Sequence, residues 1–181
     1  MFLQDLWEEK VGWDDVLSKS NQEKAKKILE QFRLIRELKF KWGVKVGNCE
    51  LHVFTDDSSQ AYGAVAYLRR EEGERNVLAS KMRVTPKKQA KLTIPKLELL
   101  ALTLVFRLGK HLSRLLDIQN VTVWTDSKVA MAWVDSRKGN KNTLISNRVG
   151  EINSIQQECG VGLQYVPTNC NPADILTWGE L

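Results

Sequence analysis

Residues 51–64 read LHVFTDDSSQAYGA. The strand-like run 51–54 is followed by Asp56, so the stretch predicts a β-strand that ends in an acid. The polar residues 57–60 then predict a short turn into a second, antiparallel strand. In a mixed α/β sheet, functional groups collect beyond the carboxyl ends of parallel strands. The first strand therefore predicts both a sheet and the edge at which a functional site would lie.

Further strands and helices are predicted on the C-terminal side of this hairpin. The predicted strands span about 49–55, 62–69, 76–84, 121–125 and 162–166. The first three are joined by short turns and form a meander, whereas the last two follow helices and should run parallel to the first. The clearest helix spans about 95–113, because Pro95 suits its first turn and apolar residues form one stripe. These elements predict an α/β fold with a mixed five-stranded sheet and flanking helices.

The first 47 residues have a different pattern. Ser20-Asn21-Gln22-Glu23 is a capping-box pattern, and apolar residues follow it at helical spacing. We therefore expect two parts, a helical lead-in at 1–47 and a main domain at 48–181.

Composition narrows the class of protein. Of the 181 residues, 43% are hydrophobic and 27% are charged, which is ordinary for a soluble globular protein. No run approaches the roughly 18 apolar residues of a membrane span, and residues 1–5 are not a signal peptide. Cys49, Cys159 and Cys170 lack metal-ligand pairing, so we expect reduced thiols in an intracellular protein.

Four acids occupy matching local contexts. Asp56 and Asp126 end predicted strands, while Glu98 and Asp174 open predicted helices. Gathered at one sheet edge, such carboxylates would suit Mg²⁺, which prefers oxygen ligands. Each acid also has a simpler interpretation. Asp56 could be a turn acid, Asp126 the N-cap of a helix at 127–134, Glu98 a surface side chain, and Asp174 a capping carboxylate.

Short motifs extend along the chain around these acids. They are FTDDS at 54–58, SKMRV at 80–84, LTIP at 92–95, WTDS at 124–127, NRV at 147–149 and VPT at 166–168, before NPAD at 171–174. The stretch from Leu51 to Gly179 resembles the ribonuclease H domain of Pao/BEL-type LTR retrotransposon polyproteins. Leu6-Trp7 and residues 12–15 also look like the segment that precedes this domain in those polyproteins.

The resemblance implies a ribonuclease H-like fold and a specific activity. Its implied function is two-metal hydrolysis, with Mg²⁺ or Mn²⁺, of the RNA strand of RNA–DNA hybrids during retroelement reverse transcription. Asp56, Glu98, Asp126 and Asp174 would be the catalytic metal ligands. The implied partners are the hybrid and a reverse-transcriptase polymerase domain of the same polyprotein, in the cytoplasm or in a retroelement particle.

The sequence departs from the family pattern at three places. Asp57 replaces a small residue and adds negative charge beside the expected site. No histidine precedes Asp174, where many ribonucleases H carry a mobile one. Residues 176–179 read LTWG where the family usually has Ser-Arg-Gly. These departures keep an alternative open, a catalytically inactive, co-opted module that binds nucleic acid or a reverse-transcriptase partner.

Basic residues are concentrated near the expected site. Between Ser80 and Arg114 there are nine Lys or Arg residues and one acid, Glu98, a local net charge of +8. Such a block could bind phosphates, although a solvated surface is the simpler interpretation. The expected nucleic-acid contacts are Ser58, Lys81, Arg83, Lys87, Lys88, Ser127, Arg137, Lys138, Lys141, Asn147 and Arg148.

Other nucleases and proteases fit the acids less well. A proofreading-type exonuclease would need Asp-x-Glu on the first strand, but residues 56–58 read Asp-Asp-Ser. A transposase or integrase would place its glutamate last, whereas Glu98 is second. An aspartic protease would need Asp-Thr-Gly or Asp-Ser-Gly, and neither occurs.

Overall fold

The structure is a computed structural model that describes residues 2–35, 48–71, 73–85, 92–136, 139 and 141–176. Its internal contacts divide the chain into two compact units, Met1–Lys45 and Val46–Leu181. All three cysteines are free. Within the described residues, no helix is long and apolar enough to cross a membrane.

In the first unit, the described residues form the helices α1 (Phe2–Glu8) and α2 (Lys19–Ile35). The side chain of Asn21 links them, because its Nδ2 donates to Glu9 Oε2 at 2.9 Å. The predicted capping box, with Ser20 as the N-cap, places the start of the second helix two residues too late. The helix already includes Lys19, and Ser18 Oγ accepts from the backbone N–H of Asn21 at 3.3 Å.

The second unit contains the predicted five-stranded sheet, in the order β3-β2-β1-β4-β5. Its strands are β1 (Cys49–Asp57), β2 (Ala61–Arg70), β3 (Arg75–Val84), β4 (Val121–Thr125) and β5 (Gly162–Tyr165). The pairs β1–β2 and β2–β3 are antiparallel, whereas β1–β4 and β4–β5 are parallel. The predicted mixed sheet is thereby confirmed.

Three helices accompany the sheet. They are α3 (Ile94–Leu116), α4 (Lys128–Asp135) and α5 (Thr143–Cys159). The long helix α3 packs on β1, β2 and β4, and α5 packs on α3. Gly109 is the point at which α3 lies against β1 and β4, and a Cβ at this position would be 3.4 Å from Val121 Cγ1. Burial of apolar residues at this contact, Leu102 and Val105 among them, forms the core.

After β5 the chain forms two short 3-10 helices, Thr168–Cys170 and Asp174–Leu176. The second contacts β1 and β2. The loop that carries Asp174 therefore returns to the middle of the sheet.

Candidate functional site

The ends of β1 and β4 bring two of the predicted acids to one edge. Phe54 and Trp124 form the last parallel pair between these strands, and Asp56 and Asp126 each lie two residues further on. Asp56 is buried, with 8% of its surface exposed. Because parallel strands end at the same edge of a sheet, both acids belong to that edge.

Glu98 reaches the same edge from α3. Ser127, the residue after Asp126, donates a hydrogen bond from its Oγ to Glu98 Oε2 at 2.6 Å. The same Ser127 oxygen accepts from the backbone N–H of Ala130 at 3.0 Å and so caps the N-terminus of α4. The helix cap is thus Ser127, and the interpretation of Asp126 as the N-cap is wrong.

The loop that follows β5 is attached to both strand ends. Val166 N donates to Thr125 O at 3.0 Å, and Thr168 Oγ1 donates to Asp126 Oδ2 at 2.9 Å. The buried Asn171 donates from Nδ2 to Thr55 O, also at 2.9 Å. These bonds hold the loop against β1 and β4.

Asn171 also shapes the turn that leads to Asp174. Its Oδ1 accepts from Ala173 N at 3.1 Å, and its carbonyl oxygen accepts from Asp174 N at 3.2 Å. The side chain of Asn171 therefore caps this turn. Because Asn171 also bonds Thr55, the turn places Asp174 next to the end of β1.

The pKa of Asp57 reflects the charges at the strand ends. Its pKa is raised from 3.8 to about 8, first by burial and then by the negative charges of Glu98, Asp56 and Asp126. A carboxyl group with nearby like charges and little water favours its neutral form. Three of the four predicted ligands therefore lie close enough to Asp57 for their charges to act on it.

This donor set fits a hard divalent cation. Carboxylate oxygens are the ligands that Mg²⁺ prefers, and a cation would offset the like-charge repulsion that raises the pKa of Asp57. Among the described residues, no group of three or more His, Cys, Asp or Glu side chains that could hold a metal ion is found. Magnesium is commonly held by only one or two carboxylates, with water and substrate phosphates completing the shell.

The predicted nucleic-acid contacts are scattered around this edge. Lys81 and Arg83 are exposed on β3, and Lys141 and Asn147 are exposed before and on α5. Ser58 lies in the β1–β2 turn, where its Oγ accepts from Gln60 N and Ala61 N at 3.2 Å each. Lys87, Lys88, Arg137 and Lys138 lie outside the described residues.

Part of the basic block is neutralised within the fold. Arg107 forms a two-point ion pair with Glu151, with Nε–Oε1 at 2.5 Å and Nη2–Oε2 at 2.9 Å. Arg148 Nη1 donates to the same Glu151 carboxylate at 2.9 Å, and Lys110 and Arg114 both pair with Glu158. The local charge of +8 counted along the sequence therefore overstates the charge that α3 presents to a ligand.

Three site residues were missed or given another role at the sequence level. Thr168 and Asn171 carry the hydrogen bonds that hold the last loop, and Ser127 bonds Glu98. The motifs VPT and NPAD contain the first two, so a signal was present, but it did not show which atoms they would contact.

Comparison with solved structures defines the class of fold. The N-terminal RNase H domain of a Mycobacterium tuberculosis protein, determined as a maltose-binding-protein fusion, aligns with a TM-score of 0.53 at 17% identity, covering 72% of this chain and 91% of that chain. LC11-RNase H1 in complex with an RNA/DNA hybrid aligns with a TM-score of 0.53 at 18% identity, covering 70% and 93%. The main unit therefore has the ribonuclease H-like fold.

A viral protein aligns over more of the chain. The foamy viral protease-reverse transcriptase in complex with double-stranded DNA aligns with a TM-score of 0.63 at 13% identity, covering 92% of this chain and 33% of that chain. In sequence, residues 1–127 match the family described as Pao retrotransposon-like RNaseH-like domain, and the chain belongs to this family. Comparison with curated proteins finds no match.

Proposed function

We propose that this domain is a metal-dependent endonuclease that hydrolyses the RNA strand of RNA–DNA hybrids during retroelement reverse transcription. The observation that carries the proposal is the convergence of acids at the ends of β1 and β4. Asp56 and Asp126 lie two residues beyond the last parallel pair of these strands, and Ser127 bonds Glu98 beside them. Carboxylates gathered in this way are expected where a divalent cation belongs to the working state.

Asp56, Glu98, Asp126 and Asp174 would hold two Mg²⁺ or Mn²⁺ ions. When bound, such ions lower the pKa of an attacking water and stabilise the leaving oxygen of a phosphodiester. The protein's own contribution is to hold these carboxylates at one edge. Thr168 bonds Asp126, and Asn171 keeps the loop of Asp174 against β1.

The proposed substrate is bound through its phosphates and ribose hydroxyls. Lys81 and Arg83 are exposed two residues apart on β3, so their side chains leave the same face of the strand. Both are candidates for phosphate contacts, whereas the ion-paired Arg107 is not. A similar fold binds an RNA/DNA hybrid in LC11-RNase H1, which supports a hybrid as the ligand.

The proposed protein partner is a reverse-transcriptase polymerase domain of the same polyprotein. The family of the chain and its alignment with a foamy viral protease-reverse transcriptase support this partner. The corresponding location is the cytoplasm or a retroelement particle.

A cleavage assay tests the proposal. The whole chain is incubated with RNA–DNA hybrid, DNA duplex or RNA duplex, with Mg²⁺, Mn²⁺ or EDTA. We expect cleavage only of the hybrid's RNA strand and only with metal, because ribose 2′-hydroxyls identify RNA. Asp126→Asn should reduce the rate by at least about 100-fold, the upper range for loss of an outer-shell partner. The control Asp135→Asn, an exposed acid at the end of α4, should cleave like the wild type.

The assay also separates the alternative function. Hybrid binding without cleavage in either metal would favour the inactive, co-opted module. Equal cleavage of DNA duplex and hybrid would exclude a ribonuclease H.

Binding of the hybrid is measured as a function of salt, whether or not the chain cleaves it. The double change Lys81→Ala and Arg83→Ala should weaken binding and lower the slope of log K against log salt, while Arg107→Ala should change neither.

A further inference from the structure

Ser127 is placed to act on Glu98 and not on a ligand from solution. Only 5% of its surface is exposed. Its Oγ accepts from Ala130 N at 3.0 Å and donates to Glu98 Oε2 at 2.6 Å. Because the oxygen already accepts the N–H bond that caps α4, the hydroxyl proton is directed to Glu98. Both functions of this hydroxyl are therefore used inside the protein.

The backbone of Ser127 is also fixed. Its N–H donates to Thr125 Oγ1 at 3.2 Å, and its carbonyl oxygen accepts from Met131 N at 3.1 Å. Thr125 is the last residue of β4 and is itself buried. Ser127 is thus anchored to the strand end that carries Asp126.

We propose that Ser127 is a positioning residue for the metal ligand Glu98, an inference that rests on the proposed function. A glutamate has three side-chain torsions, and restricting them has an entropic cost when a cation binds. The bond to Ser127 holds Oε2 of Glu98 beside the end of β4, so the carboxylate would already be fixed before a cation binds. This role replaces the expected contact of Ser127 with nucleic acid.

The inference also explains how acids on separate elements form one site. Glu98 belongs to α3, whereas Asp56 and Asp126 belong to strand ends. The Ser127–Glu98 bond is a direct polar link between α3 and the end of β4. Outer-shell partners of this kind typically account for a 10- to 100-fold difference in metal affinity.

The test separates positioning from helix capping. Glycine is tolerated at an N-cap with little loss of stability, so Ser127→Gly removes the hydroxyl while nearly preserving the cap. Ser127→Thr retains the hydroxyl, and Ser127→Ala provides a second variant without it. The matched control is Asn142→Gly, because Asn142 caps α5 by accepting from Leu144 N and Ile145 N.

The measurement is isothermal titration of Mg²⁺ and Mn²⁺ into the metal-free whole chain, with thermal unfolding of every variant. We expect Ser127→Gly and Ser127→Ala to bind metal roughly 10-fold more weakly, and Ser127→Thr to bind like the wild type. Asn142→Gly should change the melting temperature about as little as Ser127→Gly does, and it should leave metal affinity unchanged.

Two results would overturn the inference, and they differ in what they say about the proposed function. If the wild type binds metal and cleaves hybrid while Ser127→Gly binds metal equally well, the positioning role is wrong and the proposed function stands. If the wild type binds neither metal, the proposed function fails and the positioning role fails with it.

Discussion

Two clusters of acids in this fold have opposite electrostatic surroundings. On α5, Glu151 accepts two hydrogen bonds from Arg107, which together with Arg148 lowers the pKa of that carboxyl. At the ends of β1 and β4, burial of Asp57 and then the negative charges of Glu98, Asp56 and Asp126 raise the pKa of Asp57 to about 8. The charges that act on Glu151 are therefore positive, whereas those that act on Asp57 are negative.

The difference shows which acids serve the fold. The α5 ion pairs link α3 to α5 and need nothing from solution. The strand-end acids repel one another in the metal-free protein, so positive charge added between them should stabilise the native state. The contrast predicts three effects, which decrease in size.

The largest effect is stabilisation by metal. When Mg²⁺ or Mn²⁺ reaches about 100 times its dissociation constant, mass action adds about 2.7 kcal/mol to the stability of the native state. For a chain of this size, that corresponds to a rise of about 5–10 °C in melting temperature. Thermal scans with metal or EDTA measure it. Asp126→Asn should lose most of the shift and Glu151→Gln should keep it, and an equal shift in both variants would place the metal elsewhere.

The second effect is the gain in stability when one of the repelling carboxyl groups is removed. In metal-free protein, Asp57→Asn should raise stability at pH 8 by at least about 1 kcal/mol, the value of roughly one pKa unit. Because the folded pKa is raised, the native state binds more protons than the unfolded chain between about pH 4 and 8. Wild-type stability should therefore fall as pH rises through this window, and the advantage of the variant should grow.

Denaturant unfolding at several pH values, in EDTA, measures this dependence. Asp135→Asn is the control, because this acid is exposed on α4. Parallel stability curves for the wild type and Asp57→Asn would mean that Asp57 does not experience the other three charges in solution.

Much of the fold could be predicted from the sequence because its signals are local. Strand-like runs and short turns predicted the strands, and the apolar stripe with Pro95 predicted α3, which extends three residues beyond the predicted C-terminal end at 113. The parallel direction of β4 followed from the helix that precedes it, and the structure adds that β4 pairs with β1. That pairing places Asp56 and Asp126 at one edge of the sheet.

The contacts of the site residues could not be predicted, because they depend on which side chains meet in space. Ser127 and Asp126 are adjacent polar residues before a helix, and either is a good N-cap. Only the structure shows that Ser127 caps α4 while Asp126 accepts from Thr168, which is 42 residues away in sequence. Likewise, Arg107 counts as a free cation in the sequence but pairs with Glu151, 44 residues away.

The smallest of the three effects is expected for Glu151, which pairs with Arg107 and Arg148. Glu151→Gln should reduce stability by only about 0.5–1 kcal/mol at pH 7, because the pairs with Arg107 and Arg148 are partly hydrated. The folded pKa of Glu151 is lowered, so its contribution is present above the unfolded pKa and is lost as pH falls through the folded pKa.

Glu151→Gln and wild type should therefore converge at low pH and separate as pH rises. For Asp57→Asn the order of stability is reversed, because that variant is expected to be more stable than the wild type. Urea unfolding across pH measures both variants, with Glu30→Gln, an exposed acid of α2, as the control. High salt should shrink the effect of Glu151→Gln, since screening weakens exposed ion pairs. If Glu151→Gln instead stabilised the protein, Arg107 and Arg148 would not offset the negative charge of Glu151.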